Sequence, residues 1–141
     1  KLNLDDPEWE DIHVVSGALK MFFRELPEPL IPYSTFEDFI AAVKLMDHSE
    51  RVEVMKQLVG NLPQPNHDTM RAMFRHMQRV VEHSHTNRMS PQSLAIVFGP
   101  TLLRPEKDFL NMAVHTLYQN QVVELILIEC GSLFTQDGRL P

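Results

Sequence analysis

The stretch DIHVVSGALKMFFRELPEPLIP, residues 11–32, combines a helix-forming segment with a turn rich in proline. Apolar residues recur in it at alternating steps of three and four, which predicts one buried stripe on an amphipathic helix. The stripe consists of Ile12, Val15, Leu19, Phe22 and Leu26. Pro27 disfavours helical geometry at the residue before it, so the helix is expected to end there.

Two further helices are predicted immediately after the proline turn. In STFEDFIAAVKLMD, Ser34 is followed three residues later by Glu37, which is the pattern of a capping box. The expected apolar face of this helix is formed by Phe36, Phe39, Ile40 and Val43. A third helix, in SERVEVMKQLVGNL, is expected to start at Ser49 and to stop at Pro63.

The longest predicted helix lies in HDTMRAMFRHMQRVVEHS, with Asp68 or Thr69 as its cap. Its inward residues are expected to be Met70, Met73, Phe74, Met77, Val80 and Val81. Their spacing follows one face of an α-helix, and the residues between them are mainly basic or polar.

Two helices complete the predicted fold. In MSPQSLAIVFGPTLL, Ser90 is the expected cap, Pro91 occupies the first helical position, and Gly99-Pro100 should break the helix. The last helix is expected from about Met112 to Phe134. A strand reading of LAIVFG is possible, but a single strand would have nothing to pair with. The sequence therefore predicts an all-α, single-domain bundle of about six or seven helices.

Composition excludes several classes of function. The 141 residues carry a net charge of −6, whereas nonspecific nucleic-acid binding requires an excess of lysine and arginine. No apolar run approaches the roughly 18 residues of a membrane helix. Cys130 is the single cysteine, so an internal disulfide is excluded; it lies in an apolar run and is expected to be a buried structural thiol.

No catalytic or metal-binding motif stands out. His83 and His85 are two residues apart, a spacing that does not place both side chains on one helix face, and no metal is predicted. The five glycines are scattered and form no phosphate-binding loop. Pro29 and Pro32 form a minimal PxxP that an SH3 domain could bind if the loop were exposed, although Leu30 and Ile31 favour a loop that packs on the core.

Lys20 and Arg24 are the most informative charged residues. They are four residues apart, so they are neighbours on one helix face, away from the predicted apolar stripe. Their long side chains could simply cover apolar surface while the charged ends reach water. They could also bind an acidic or phosphate-bearing partner. The spacing alone does not decide between these readings.

Four blocks of sequence, in order, resemble Rho-family GTPase-activating (RhoGAP) domains. ALKMFFRELPEPLIP resembles the family's LK-x-F-x-RELPEPL signature, and MSPQSLAIVFGPTLLRP resembles its LA-x-V-FGP-x-LL segment. The helix in NHDTMRAMFRHMQRVVEHS and the closing segment YQNQVVELILIECGSLF are also similar to the family pattern. The segment LNLDDPEWEDIHVVSGALK looks closest in sequence to the multidomain subgroup that also carries PH, SH3 and WW domains.

The resemblance implies an all-helical domain that binds a Rho, Rac or Cdc42-type GTPase and stimulates its GTP hydrolysis, acting as a regulator rather than as an enzyme itself. Lys20, Arg24, Ser93, Ile96 and Asn120 match the positions that face the GTPase. Ser93 replaces the asparagine that is commonest in the family, and its hydroxyl offers fewer hydrogen bonds than an amide. No cofactor is implied, because GTP and Mg²⁺ belong to the partner.

The family's catalytic arginine finger lies well upstream of the LK-x-F-x-R pattern, and residues 1–19 contain no arginine. The chain is therefore expected to be a partial RhoGAP domain, residues 1–141, without the segment that bears the finger. Such a chain should bind a GTPase weakly and stimulate it little. A non-catalytic GTPase-binding or scaffold module of the same fold is the alternative. The expected location is the cytoplasm, with membrane recruitment through other domains of the parent protein.

Overall fold

The computed structural model of the chain describes residues 3, 5–106 and 112–134. Over these residues the fold is all-α with no strand, as the sequence predicts. After a 3₁₀ turn at Pro7–Trp9, the helices are α1 (Ile12–Arg24), α2 (Tyr33–Val43), α3 (His48–Gly60), α4 (Gln64–Glu82), α5 (Ser84–Asn87), α6 (Pro91–Leu102), α7 (Met112–Ile128) and α8 (Cys130–Leu133). The described part contains eight helices rather than six or seven, and α5 and α8, of four residues each, are single turns. None of them is long and apolar enough to cross a membrane.

Helix α7 is the centre of the bundle. It packs along α6 and also contacts α2, α4 and α8, while α1 packs on α6 and α2 packs on α3. The core between these helices is apolar and includes Phe39, Met55, Phe74 and Ile126, each with no exposed surface. A chain of this size can bury a continuous core of this kind.

The predicted inward faces of α2 and α4 are confirmed. On α2, all four apolar residues named from the sequence are buried: Phe36, Phe39, Ile40 and Val43. On α4, the four buried residues are Met70, Met73, Phe74 and Met77, and Val80 and Val81 pack against the same core. Cys130 is also buried, as expected of a structural thiol.

The capping box predicted for α2 is wrong. The helix begins at Tyr33, and Ser34 lies exposed within its first turn. Pro32 is already in an extended conformation, and the Tyr33 amide donates to the Glu28 carboxylate at 2.8 Å. The preceding proline turn therefore supplies the acceptor that a serine cap would have supplied.

The starts of α3 and α4 also differ from the prediction. Asp47 caps α3 by accepting from the Glu50 amide at 2.9 Å, so the helix starts before Ser49. Helix α4 begins at Gln64 and not at Asp68 or Thr69. Its first turn contains a proline, which costs no hydrogen bond there because the first amides of a helix have no partner within it.

The start of α6 is confirmed and its predicted end is wrong. Ser90 accepts from the Ser93 amide, and Pro91 is the first helical residue. The helix passes through Gly99 and Pro100 and ends at Leu102. Proline so close to a C-terminus removes only one helical hydrogen bond, the one to the Ile96 carbonyl. The segment predicted as one final helix is divided at Glu129 into α7 and α8.

The apolar stripe predicted for α1 is wrong as a buried face. Leu19 is 38% exposed and Phe22 is 61% exposed, whereas Phe23 is 3% exposed. Helix α1 has apolar residues around much of its circumference, and it packs on α6 through the side that carries Phe23. Val15 and Leu26, at the edge of that side, are half-buried.

The proline turn after α1 is attached to the core. Leu30 and Ile31 are buried, the Ile31 amide donates to the Leu102 carbonyl at 3.0 Å, and the Asn66 side-chain amide donates to the Leu30 carbonyl at 2.7 Å. Pro29 is buried as well. SH3 binding through Pro29 and Pro32 needs an exposed loop, so this reading of the PxxP is wrong.

Candidate functional site

Lys20 and Arg24 lie one turn apart at the C-terminal end of α1. Lys20 is half-buried, on the flank of the side that carries Phe23, and Arg24 is exposed. In the part of the chain that the structure describes, neither side chain forms a hydrogen bond or an ion pair. Two neighbouring cations without counter-charges are mildly repulsive, so an anionic partner group would relieve that repulsion.

The start of α6 holds Ser93 in a defined position. The Ser90 hydroxyl donates to the Ser93 hydroxyl at 3.0 Å, and the Ser90 oxygen accepts from the Ser93 amide at 3.1 Å. In this arrangement the Ser93 oxygen accepts a hydrogen bond and keeps its own proton, which it can donate to a partner. Ser93 is partly buried, so its hydroxyl is fixed rather than freely rotating in water.

An apolar surface follows Ser93 along α6. Ile96 lies three residues after Ser93 and is 59% exposed, and its neighbour Val97 is 37% exposed. Residues three or four apart on a helix share a face, so Ser93 and Ile96 present a polar and an apolar contact side by side.

Asn120 of α7 lies against Gly99 of α6. A Cβ atom at Gly99 would overlap the Asn120 Oδ1 and would lie 3.2 Å from the Asn120 Cα. The Oδ1 is buried and has no hydrogen-bond partner among the described residues. A buried amide oxygen without a donor is uncommon in a folded protein.

The fold brings the helices of the candidate site together. Lys20 and Arg24 are on α1, Ser93 and Ile96 are on α6, and Asn120 is on α7, and these helices pack in the order α1, α6, α7.

The end of α1 is fixed to the segment that follows α6. The Arg104 guanidinium donates to the Leu26 carbonyl at 3.1 Å. The end of α1 that carries Arg24 is therefore tied to the segment that leaves α6.

Two residues outside the five predicted positions also support this site. Ser90 caps α6 and, in addition, positions the Ser93 hydroxyl. Gly99 was expected to break α6, and it instead lets α7 approach close enough to pack Asn120 against the helix. The sequence contains a signal for each of these roles. For Ser90 it is the second serine three residues later, and for Gly99 it is the glycine within an otherwise apolar helix.

The described groups of the candidate site suit binding to a partner. Among residues 3, 5–106 and 112–134, no group of three metal-ligating side chains comes together. Cys130 is buried, and that burial raises the pKa of its thiol, which disfavours the nucleophilic thiolate. What the three helices present instead is a cationic pair, a fixed hydroxyl and an apolar side chain, which suit a protein partner with acidic or phosphate groups.

Comparison with known proteins identifies the family of the domain. The family model of the RhoGAP domain matches residues 1–107. The chain is 61% identical over 134 residues to Rho GTPase-activating protein 15 of Gallus gallus, covering 95% of this chain and 28% of that protein. It is 59% identical over 134 residues to Rho GTPase-activating protein 27 of Homo sapiens, covering 95% of this chain and 15% of that protein.

Solved structures give the same result. The crystal structure of human Rho GTPase-activating protein 15 matches with a TM-score of 0.91 and 60% identity, over 95% of this chain and 64% of that one. The BH domain of GRAF, the GTPase regulator associated with focal adhesion kinase, matches with a TM-score of 0.86 and 33% identity, over 92% of this chain and 69% of that one. The chain spans less than a third of the length of Rho GTPase-activating proteins 15 and 27. By its sequence, its helices and their packing, the chain belongs to the RhoGAP domain family.

Proposed function

We propose that this chain forms the GTPase-binding part of a domain that stimulates GTP hydrolysis by a Rho-family small GTPase. The observation that carries the proposal is the unpaired Lys20 and Arg24 on α1, beside the exposed apolar surface of α6. The names of the relatives, Rho GTPase-activating proteins 15 and 27, support the activity.

The five residues divide the work of binding. Lys20 and Arg24 supply charge-assisted hydrogen bonds to acidic or phosphate groups of the GTPase. Ser93 donates one hydrogen bond from its fixed hydroxyl, and Ile96 covers an apolar patch of the partner. Asn120 contributes the amide group at the α6–α7 contact, with its NH₂ available as a donor.

The arginine finger comes from a segment outside residues 1–141 in this proposal. Residues 1–19 contain no arginine, and in the related case of Ras and its activator the finger accelerates hydrolysis by about 10³–10⁵. The chain alone therefore binds the GTPase weakly and stimulates it little. The domain acts as a regulator of a partner enzyme and needs no cofactor of its own, since GTP and Mg²⁺ are bound by the GTPase.

The parent protein, in the same proposal, belongs to the subgroup with PH, SH3 and WW domains. The support is the resemblance of residues 2–20 to the sequences of that subgroup. The parent is cytoplasmic and is recruited to membranes through those other domains.

Hydrolysis measurements test the proposal. Rho, Rac and Cdc42-type GTPases loaded with GTP are assayed with this chain and with a form extended upstream through the finger segment. The extended form should accelerate at least one GTPase strongly. Replacing Lys20 or Arg24 by alanine should weaken binding about tenfold or more, because each removes a charge from a charge-paired contact. Lys56→Ala on α3 is the matched control and should have no effect. No acceleration by the extended form, together with unchanged binding of both variants, would reject the proposal.

A scaffold function is the second candidate, and the observation that favours it is that the candidate site presents groups for binding, the Lys20–Arg24 pair and the exposed Ile96. A module of the same fold could bind a GTPase or another partner without catalysis. An extended form that binds GTPases through Lys20 and Arg24 but leaves hydrolysis unchanged would identify this function.

A further inference from the structure

Helix α4 carries a row of arginines that the proposed function does not use. Arg71, Arg75 and Arg79 are spaced four residues apart, so they follow one face of the helix over about 12 Å. Arg75 and Arg79 are exposed and Arg71 is half-buried. Within the ranges that the structure describes, none of the three guanidinium groups is hydrogen-bonded or ion-paired.

The charge of this region is opposite to that of the rest of the chain. Residues 71–88 contain four arginines and one glutamate, a net charge of +3, while the whole chain carries −6. The other 123 residues therefore carry −9. His76 and His83 are also exposed in the same segment. A molecule with such a separation of charge turns its cationic side toward an anionic surface.

One acidic residue flanks each end of the row and offsets part of its charge. Asp68 lies one turn before Arg71, and its carboxylate accepts from the Gln64 side-chain amide at 2.8 Å and lies 3.8 Å from His67 Nδ1. That hydrogen bond, together with the charge of Arg71, keeps the pKa of Asp68 below its ordinary value, so it is ionised at neutral pH. Glu82 lies one turn after Arg79, at the end of α4. Neither carboxylate forms an ion pair with an arginine in the described chain, so the three guanidinium groups remain available to a partner.

The arginine face lies on the solvent side of α4, opposite the methionines and Phe74. Helix α4 packs on α7 and α8 through its methionines and Phe74, whereas Lys20 and Arg24 are on α1, which packs on α6. A partner bound at α4 would therefore leave the α1–α6 surface open.

The chemistry of the face fits a lipid surface better than a protein. Protein interfaces have apolar or aromatic anchors at their centre. The large apolar side chains exposed in the described chain lie on α1, α6, α7 and at Met46, and none lies on α4. A row of guanidinium groups along one helix face suits a surface whose anionic headgroups can move to meet each charge.

We propose that the outward face of α4, through Arg71, Arg75 and Arg79, binds the surface of a membrane that contains anionic phospholipids. Contact is electrostatic, without insertion, because the face offers no apolar wedge. The domain would then lie on the membrane with α4 beneath it and with the α1–α6 surface free to bind a partner.

Vesicle sedimentation with the 141-residue chain tests this proposal. Vesicles of phosphatidylcholine alone are compared with vesicles that also contain about 30% phosphatidylserine, at low salt and at physiological salt. The chain should sediment with the anionic vesicles only, and less so at higher salt. The variant Arg75→Gln/Arg79→Gln should lose about 25-fold in the partition constant, at about fivefold for each arginine near the surface.

A matched variant separates position from net charge. Lys44→Gln/Lys56→Gln removes two exposed cations from α2–α3 and reaches the same net charge of −8. It should change the partition constant by less than about threefold. Arg75→Gln/Arg79→Gln should keep the melting temperature of the parent chain. Lys44→Gln/Lys56→Gln also removes the Lys44 ammonium from the face of the Tyr118 ring, 4.7 Å from its centre, so it should melt slightly lower but remain folded; circular dichroism checks both.

Four outcomes would overturn the proposal. One is no sedimentation of the chain with anionic vesicles at low salt, and another is equal loss in the two double variants. A third is equal sedimentation with phosphatidylcholine alone, which would point to the exposed apolar residues of α1. The last is binding of polyglutamate through the arginines without binding to vesicles, which would identify an acidic protein segment as the occupant.

Discussion

Helices α1 and α4 are both amphipathic and both carry neighbouring basic residues, but their apolar residues are arranged differently. On α4, the apolar residues share one side, and the opposite side is charged or polar. On α1, apolar residues occur on the side that packs on α6 and also on the solvent side, where Val14, Met21 and Phe22 are more than half exposed. A helix with one apolar side has only one way to pack on a core. When a helix has apolar residues on two sides, its contacts with neighbouring helices decide which side is buried.

The largest expected effect separates Phe74 of α4 from Phe22 of α1. Phe74→Ala on α4 removes a side chain with no exposed surface and should cost about 3–5 kcal/mol of unfolding free energy, because a cavity remains. Phe22→Ala on α1 removes a side chain that is 61% exposed and whose ring contacts the Phe23 ring edge-on, and it should cost about 1 kcal/mol or less. Urea denaturation measures both. Equal losses would mean that the apolar residues of α1 are covered in solution.

A glycine pair gives the next largest difference. Gly99→Ala places a Cβ against Asn120, so α6 and α7 must move apart, at an expected cost of about 1–3 kcal/mol. Gly17→Ala on α1 adds a methyl where nothing lies within 4 Å, and should stabilise the helix by about 0.5–1 kcal/mol. Thermal unfolding of the two variants would show the opposite signs. A stabilised Gly99→Ala would contradict the close approach of α6 and α7.

The smallest effect distinguishes two serines near helix starts. Ser90→Ala removes the cap of α6 and should cost about 1 kcal/mol. It should also weaken GTPase binding, because Ser93 loses the hydroxyl that positions it. Ser34→Ala, at a position that caps nothing, should stay within about 0.5 kcal/mol of the parent chain. Similar losses in both variants would restore the capping box at α2.

Helix starts and buried faces could be predicted from the sequence where one local interaction decides them. The start of α6 was predicted because Ser90 followed by Pro91 satisfies the first amides and fixes the first helical residue. The inward face of α4 was predicted because its methionines share one side. The start of α4 was missed because the chain begins the helix without a side-chain cap, with a proline in its first turn.

Other features depended on contacts between distant parts of the chain. Helix α6 continues through Pro100 because it packs against α7 and because the Leu102 carbonyl at its end accepts a hydrogen bond from the Ile31 amide. The outward side of α1 could not be read from periodicity, because Leu19, Phe22 and Phe23 all fit an apolar face. For the candidate site, the resemblance predicts five positions. The contacts of Ser90 with Ser93 and of Gly99 with Asn120 depend on the geometry of α6 and its packing on α7, which the sequence pattern does not give.

The tight packing of α6 against α7 at Gly99 has a consequence for the entropy of binding. Ser93, Ile96 and Asn120 are carried by helices that are already formed, so no backbone segment there must become ordered when a partner arrives. The conformational entropy lost at this surface is then confined mainly to the long side chains of Lys20 and Arg24, at about 2 kcal/mol for each fully fixed chain. These two side chains give the surface its charge and also set most of its entropic cost.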